Sequence, residues 1–199
     1  SPLVHAWYKN SPSGGIHQLL WLSSYEIDKI LSFVKYIVVK APDEKGKDIM
    51  RNTLKADFAA RITELEEIYK EEDKAEENAK KKADLKNLFE EKKKELSDEQ
   101  LRLNSIISGL AWGTTVLEAD RRAFFSKFFE QMEMASGPEG ILKALKWIDV
   151  EKEIKKRVKD FPNIKSADAK KKSMSLIKLL INLYVSGVKP ENMVLRKLP

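Results

Sequence analysis

The stretch K-D-I-M-R-N-T-L-K-A-D-F-A-A-R-I-T-E-L-E-E-I-Y, residues 47–69, opens the longest run of the chain without glycine or proline. Leu54, Phe58, Ile62, Leu65 and Tyr69 step by four, four, three and four residues. That spacing places them on one stripe of a helix. The run continues to Ser108. Residues 71–82 are almost wholly charged, with Ala75 and Ala79 as the apolar points, and Leu85, Leu88, Phe89 and Leu96 then resume a stripe. One unbroken helix over this length would project about 90 Å at 1.5 Å per residue. An antiparallel hairpin is the more economical reading, because its two stripes bury each other. The charged stretch then forms the tip, and Leu65 comes to lie near Leu88.

Working outward, the flanking regions read differently. His5-Ala6-Trp7-Tyr8 reads as a short strand or extended piece, and Ser11-Pro12-Ser13-Gly14-Gly15 as a turn. Ile16, Leu19 and Leu20, then Ile27, Ile30 and Leu31, recur at helical spacing, with Ser23 or Ser24 as a cap for the second helix. Tyr36-Ile37-Val38-Val39 is β-branched and aromatic, a strand signature, and Ala41-Pro42-Asp43 ends it. Beyond the long run, Ser108-Gly109 reads as a break, and residues 119–129 as a Phe-rich helix. A further helix starts at Gly137-Pro138 and buries Ile141, Leu142, Leu145 and Ile148. Asp149 caps the next helix, which runs through Val158 and stops before Pro162. The last helix covers residues 167–186 and ends at Gly187. The fold class is therefore mainly α, an irregular helical module with a few short strands and a long helical hairpin. It divides at 1–46, 47–108 and 109–199.

Composition narrows the function classes. The 199 residues are 42% hydrophobic and 34% charged, with a formal net charge of +6. That balance suits nucleic acid or an acidic protein as a neighbour, but a solvated Lys-rich surface is the simpler explanation. The Lys-rich runs at 80–82, 92–94 and 170–172 read as solvated helix faces. There is no cysteine, so a disulfide scaffold, a thiolate zinc site and a cysteine nucleophile are excluded within the chain. No apolar run approaches a membrane span and no signal peptide pattern opens the chain, so a cytoplasmic setting is expected.

Motifs for catalysis are missing. No glycine loop precedes a Lys-Ser or Lys-Thr pair, and no serine sits in a nucleophile elbow. His5 and His17 have no evident partners and read as hydrogen-bonded structural histidines. The acidic residues of 64–77 alternate with lysines as on a solvated helix, and no Asp cluster is spaced for magnesium. Trp7, Trp21, Trp112 and Trp147 are scattered, which favours core or interface packing over a stacking platform for bases. No catalytic residue and no metal ligand is assigned.

The two ends carry a resemblance. Ser1-Pro2-Leu3-Val4-His5-Ala6-Trp7-Tyr8, the Pro-Ser turn and Ile27-Asp28-Lys29-Ile30-Leu31-Ser32-Phe33-Val34-Lys35-Tyr36-Ile37-Val38-Val39 resemble the β′ subunit of bacterial RNA polymerase. So does the closing stretch, Ser186-Gly187-Val188-Lys189-Pro190-Glu191-Asn192-Met193-Val194-Leu195 with Leu198-Pro199. Between them, Met134-Ala135-Ser136-Gly137-Pro138-Glu139-Gly140-Ile141 and Ile148-Asp149-Val150-Glu151 are similar to a Gly-Ala-Glu-Ala-Ile helix and its Asp-capped successor in that family. The motifs occur in the family's order, over the first 40 residues and about the last 75. Gly15 stands where the family usually has Arg, Asn192 where it has Trp, and residues 47–108 match only loosely.

This resemblance implies a piece of the clamp of a nucleotidyltransferase, DNA-directed RNA polymerase. Residues 1–46 would follow the zinc ribbon, 47–108 would be a coiled-coil-like helical expansion, and 109–199 would lead towards the lid. The piece would help to enclose DNA and the RNA–DNA hybrid by phosphate contacts, beside the β, α and σ subunits. It would not be catalytic alone and would hold no cofactor, the parent's Mg²⁺ and Zn²⁺ lying outside it. Arg196 and Lys197, beside the expected lid, are the candidate nucleic-acid contacts. A start without Met and an end on an apolar, proline-terminated run fit an internal piece of a longer protein. Two other readings compete. One is a free-standing helical coiled-coil interaction module, and the other an autonomous basic nucleic-acid binder.

Overall fold

A computed structural model describes residues 2–4 and 15–196. In chain order the elements are β1 (Pro2–Val4), α1 (Ile16–Leu20), α2 (Ser24–Leu31), β2 (Lys35–Lys40), α3 (Glu44–Ala75), α4 (Ala79–Gly109), β3 (Thr115–Leu117), α5 (Glu118–Ala123), β4 (Glu133–Ala135), α6 (Gly137–Lys146), α7 (Val150–Asp160), α8 (Ala167–Ser186) and β5 (Val194–Arg196). Short 3-10 turns span Phe125–Phe128, Phe161–Asn163 and Pro190–Met193. The protein is mainly α, as expected. The chain forms two compact units, Pro42–Leu110 and the remainder on either side of it. The readings of His5–Tyr8 as an extended piece and of Ser11–Gly14 as a turn fall outside the described residues, as do Lys197 and the closing Leu198-Pro199.

The unit Pro42–Leu110 is an antiparallel helical hairpin of α3 and α4. Cross-contacts pair ascending residues of one helix with descending residues of the other. The Lys47 Nζ donates to the Ser108 carbonyl at 3.3 Å, the Lys93 Nζ meets Glu66 Oε1 at 3.1 Å, and the Tyr69 and Phe89 rings stack with centroids 4.5 Å apart. Met50, Leu54 and Phe58 are buried on α3, and Leu103 and Ile107 on α4. Towards the tip the seam is only half-buried. The reversal needs no glycine or proline. Glu76 and Asn78 both take extended backbone at negative φ, and Asn78 Oδ1 accepts from the Lys80 and Lys81 amides at 3.0 and 3.3 Å. An Asn N-cap of this kind stabilises a helix start by about 1 kcal/mol. The register differs from the sequence expectation by roughly one turn. Leu65 shares a face with Lys92 and Leu96, whereas Leu88 is 51% exposed.

The other unit is built on β2. In the sheet order β3-β2-β4, both neighbours run antiparallel to it. Ile37, Val38 and Val39 are buried, as a central strand covered on both faces requires. Ile37, Ile27, Ile30, Ile141 and Leu145 belong to one apolar cluster with Leu176 and Leu180 of α8. Ser23 closes α2 with a capping box: its Oγ accepts from the Glu26 amide, and Glu26 Oε2 accepts from the Ser23 amide. The Ser136 hydroxyl, also buried, lies 2.9 and 2.7 Å from the carbonyls of Ile30 and Lys35 and ties the start of α6 to the α2–β2 link. Strands β1 and β5 pair antiparallel, Pro2 opposite Arg196.

Three boundaries differ from the sequence reading. Gly109 ends α4 rather than breaking it, and the chain turns over the next four residues. The expected Phe-rich helix over 119–129 divides at Phe124 (φ −137°, ψ −53°), where a 3-10 turn begins. The tighter turn brings residues three apart into line, so Phe125 and Phe128 are both buried, and both rings contact Phe124, at 5.2 and 5.0 Å. Helix α7 runs to Asp160 instead of Val158. Pro162 lies at the start of the following turn, where a missing N–H costs nothing.

The glycines of the Gly137–Gly140 motif have distinct reasons. Gly137 sits at φ +67°, and a Cβ there would lie 2.6 Å from the Phe33 ring. A Cβ on Gly140 would lie 2.9 Å from the Ala135 backbone, so only glycine lets α6 approach β4. At Gly187, the left-handed cap of α8, an added Cβ would meet nothing within 4 Å. We expect Gly140→Ala to destabilise by about 1–3 kcal/mol through overpacking. Gly187→Ala should lose only about 1 kcal/mol through backbone strain. Urea melts check this, and equal losses would contradict the close α6–β4 approach. In the hairpin, cysteines at positions 69 and 89 should link within one molecule faster than cysteines at 65 and 88. A short bifunctional reagent provides the measurement, and the reverse order would contradict the register.

Candidate binding groove

Three of the four tryptophans meet at one place. Trp21, Trp112 and Trp147 line an open groove of about 1180 Å³, floored by Leu19, Leu20, Ile148, Leu176 and Leu180 and edged by α7. Each Trp is positioned by the end of an element. Trp21 is the C-cap of α1 and takes left-handed backbone, φ 57° and ψ 33°. Trp147 caps α6, and its amide donates to the Ala144 carbonyl at 3.3 Å. Trp112 lies in the turn that follows α4, beside Gly113, whose amide donates to the Val38 carbonyl at 2.9 Å.

The rings differ in access. Trp21 is 57% exposed and Trp147 64% exposed. Trp112 is half-buried, and its indole N–H is buried with no hydrogen-bond partner among the described residues. The Arg157 guanidinium lies 4.4 Å above the Trp21 ring, a cation–π contact. Glu153, one turn back, holds Arg157 Nε at 3.4 Å.

The basic edge comes from the cap and pattern of α7. Asp149 Oδ1 accepts from the Lys152 amide at 3.1 Å and starts the helix. Lys155 is taken up by Glu151: their 2.6 Å contact holds the ammonium above its ordinary pKa. Lys152, Lys156 and Lys159 are exposed, and none forms an ion pair with a described residue. They step by four and three residues and so share one stripe of the helix.

The tryptophans are scattered in sequence and read there as core or interface packing, whereas Trp21 and Trp147 stand exposed on one groove. No local signal was available, because the three positions come together only where the ends of α1 and α6 meet the turn before β3. The reading of His17 as a hydrogen-bonded histidine also changes: its Nδ1 is buried without a partner among the described residues. Arg196 is the last residue of β5. Among the described residues, no group of three or more His, Asp or Glu side chains comes together in a way that could hold a metal ion. No helix among them is long and apolar enough to cross a membrane.

No family model matches the chain. A 93-residue part of it is 33% identical to the DNA-directed RNA polymerase subunit β′ of Shewanella amazonensis and to that of Shewanella loihica. The same comparison with the subunit of Shewanella oneidensis gives 32%. Each match covers 47% of this chain and 7% of the length of the relative. About half of the chain is thus similar in sequence to the β′ subunit of DNA-directed RNA polymerase.

Proposed function

We propose that the chain is part of the clamp of a DNA-directed RNA polymerase β′ subunit, helping to enclose DNA and the RNA–DNA hybrid during transcription. The observation that carries this reading is the set of β′-like motifs in family order, together with the 33% identity over 93 residues. In this role it works in the cytoplasm against the β, α and σ subunits. It holds nucleic acid through phosphate contacts that position without reading sequence. Arg196 and Lys197, next to the lid expected beyond the chain, are the contacts we assign. Catalysis, and the Mg²⁺ and Zn²⁺ of the parent enzyme, belong to segments outside this chain.

The place of the hairpin supports the reading. It is inserted between β2 and β3, two strands that pair directly with each other, Tyr36 opposite Val116. Val38 exchanges hydrogen bonds with the returning chain: its amide donates to the Thr114 carbonyl at 2.8 Å, and its carbonyl accepts from Gly113. An expansion at such a point leaves the sheet intact, and lengthening a loop costs little chain entropy. A lineage-specific insertion in a polymerase clamp would be tolerated on these terms.

The test is the reading frame on either side of the chain. We expect a four-cysteine ribbon before Ser1, and a proline-rich lid with an aspartate-rich magnesium loop after Pro199. A start codon immediately before Ser1 and a stop immediately after Pro199 would overturn the proposal and leave a free-standing helical interaction module.

A further inference from the structure

We propose that the tryptophan groove is a binding site for single-stranded nucleic acid, in which bases stack on Trp21 and Trp147 and phosphates lie along Lys152, Lys156 and Lys159. This goes beyond the clamp reading and does not depend on it, since a helical module outside any polymerase would carry the same groove. It also lies on different elements from Arg196, the last residue of β5.

Two large apolar rings stand more than half exposed at the edges of one groove. Packing does not account for that exposure. Trp21 is held at φ 57°, a conformation that is strained for a bulky residue. The ring stands 57% exposed, and the Arg157 guanidinium covers one face of it. A ring fixed in this way loses little freedom when a base stacks on its other face.

The cations complete the pattern. Along α7 the three lysines are spaced by about 6 and 4.5 Å of helix rise. They form a short row that can follow a phosphate backbone. The carboxylates of the groove compete with them only in part. Glu153 is held by Arg157, Asp149 caps α7, and Asp160 stands where the row ends. A positively charged groove with exposed aromatic rings is the arrangement by which single strands are bound without sequence preference. A duplex hides its base faces and could use only the lysines.

The experiment is a titration of the whole chain with a fluorescein-labelled twelve-residue oligothymidylate, followed by anisotropy and, with unlabelled oligomer, by tryptophan emission. We expect binding that quenches the emission. Three phosphate contacts should give a log–log salt slope of about −2. Trp147→Ala and Trp21→Ala should each weaken binding about tenfold with the slope unchanged. Trp147→Phe and Trp21→Phe, which keep a stacking ring and preserve the fold most closely, should retain most of the affinity. Replacing Lys152, Lys156 and Lys159 together by Gln should flatten the slope. The proposal is overturned by absence of binding, by binding that the Trp variants leave unchanged, or by duplex DNA binding as tightly as the single strand. It is equally overturned if a glutamate-rich peptide carrying apolar anchors binds with the same Trp dependence and the oligomer does not, which would make the groove a protein-docking surface.

Discussion

Burial of Ile37, Val38 and Val39 in the middle of β2 is the constraint on which the larger unit depends. Each side chain is removed from water, and each edge of the strand is satisfied by a neighbour, β3 on one side and β4 on the other. An apolar strand stripped of either partner would leave buried backbone groups unpaired, at a loss of about 1–3 kcal/mol each. The chain therefore has to return to β2 twice from distant points in sequence. The Ser136 hydroxyl and the close approach at Gly140 fix one return, and the Gly113–Val38 hydrogen bond fixes the other. Helices α2 and α6 then cover the sheet with the apolar faces that their spacing dictates.

The hairpin is a different kind of object. Its buried residues sit at the end nearest its entry and exit, where Met50, Leu54 and Phe58 lie at the height of Leu103 and Ile107. Further out, the seam relies on the Tyr69–Phe89 stack and on the exposed ion pair Lys93–Glu66. Exposed pairs of this sort contribute little, about 0–1 kcal/mol. Cohesion thus declines from base to tip, and the tip is a surface of charge rather than a packed core.

The elements that the sequence made legible are those fixed by local rules. The stripe from Leu54 to Tyr69, the β-branched run at 36–39, the Asp149 cap and the Gly187 stop depend on spacing or on backbone chemistry within a few residues. What escaped depends on residues far apart. The hairpin register is visible only in which rings meet across the seam, and the Phe-rich segment bends where Phe124, Phe125 and Phe128 are buried together, Phe124 against each of the others. The Trp21–Arg157 contact joins the first helix to the seventh. The glycine-free tip shows the limit of reading turns from composition, since two extended residues, Glu76 and the capping Asn78, reverse the chain without any positive φ.

These features bear on function in unequal measure. Ordered β′-like motifs and partial identity favour the proposed polymerase reading, whereas the groove, lined by Trp21, Trp112, Trp147 and side chains of α7 and α8, bears only on what the surface can hold. The most direct measurement of the central claim is affinity capture of the native protein through a small tag placed at the hairpin tip, residues 76–78, followed by mass spectrometry. We expect the β, α and σ subunits of RNA polymerase to be recovered in stoichiometric amounts, within a polypeptide much larger than 199 residues. Recovery of a 199-residue protein free of polymerase subunits would contradict it.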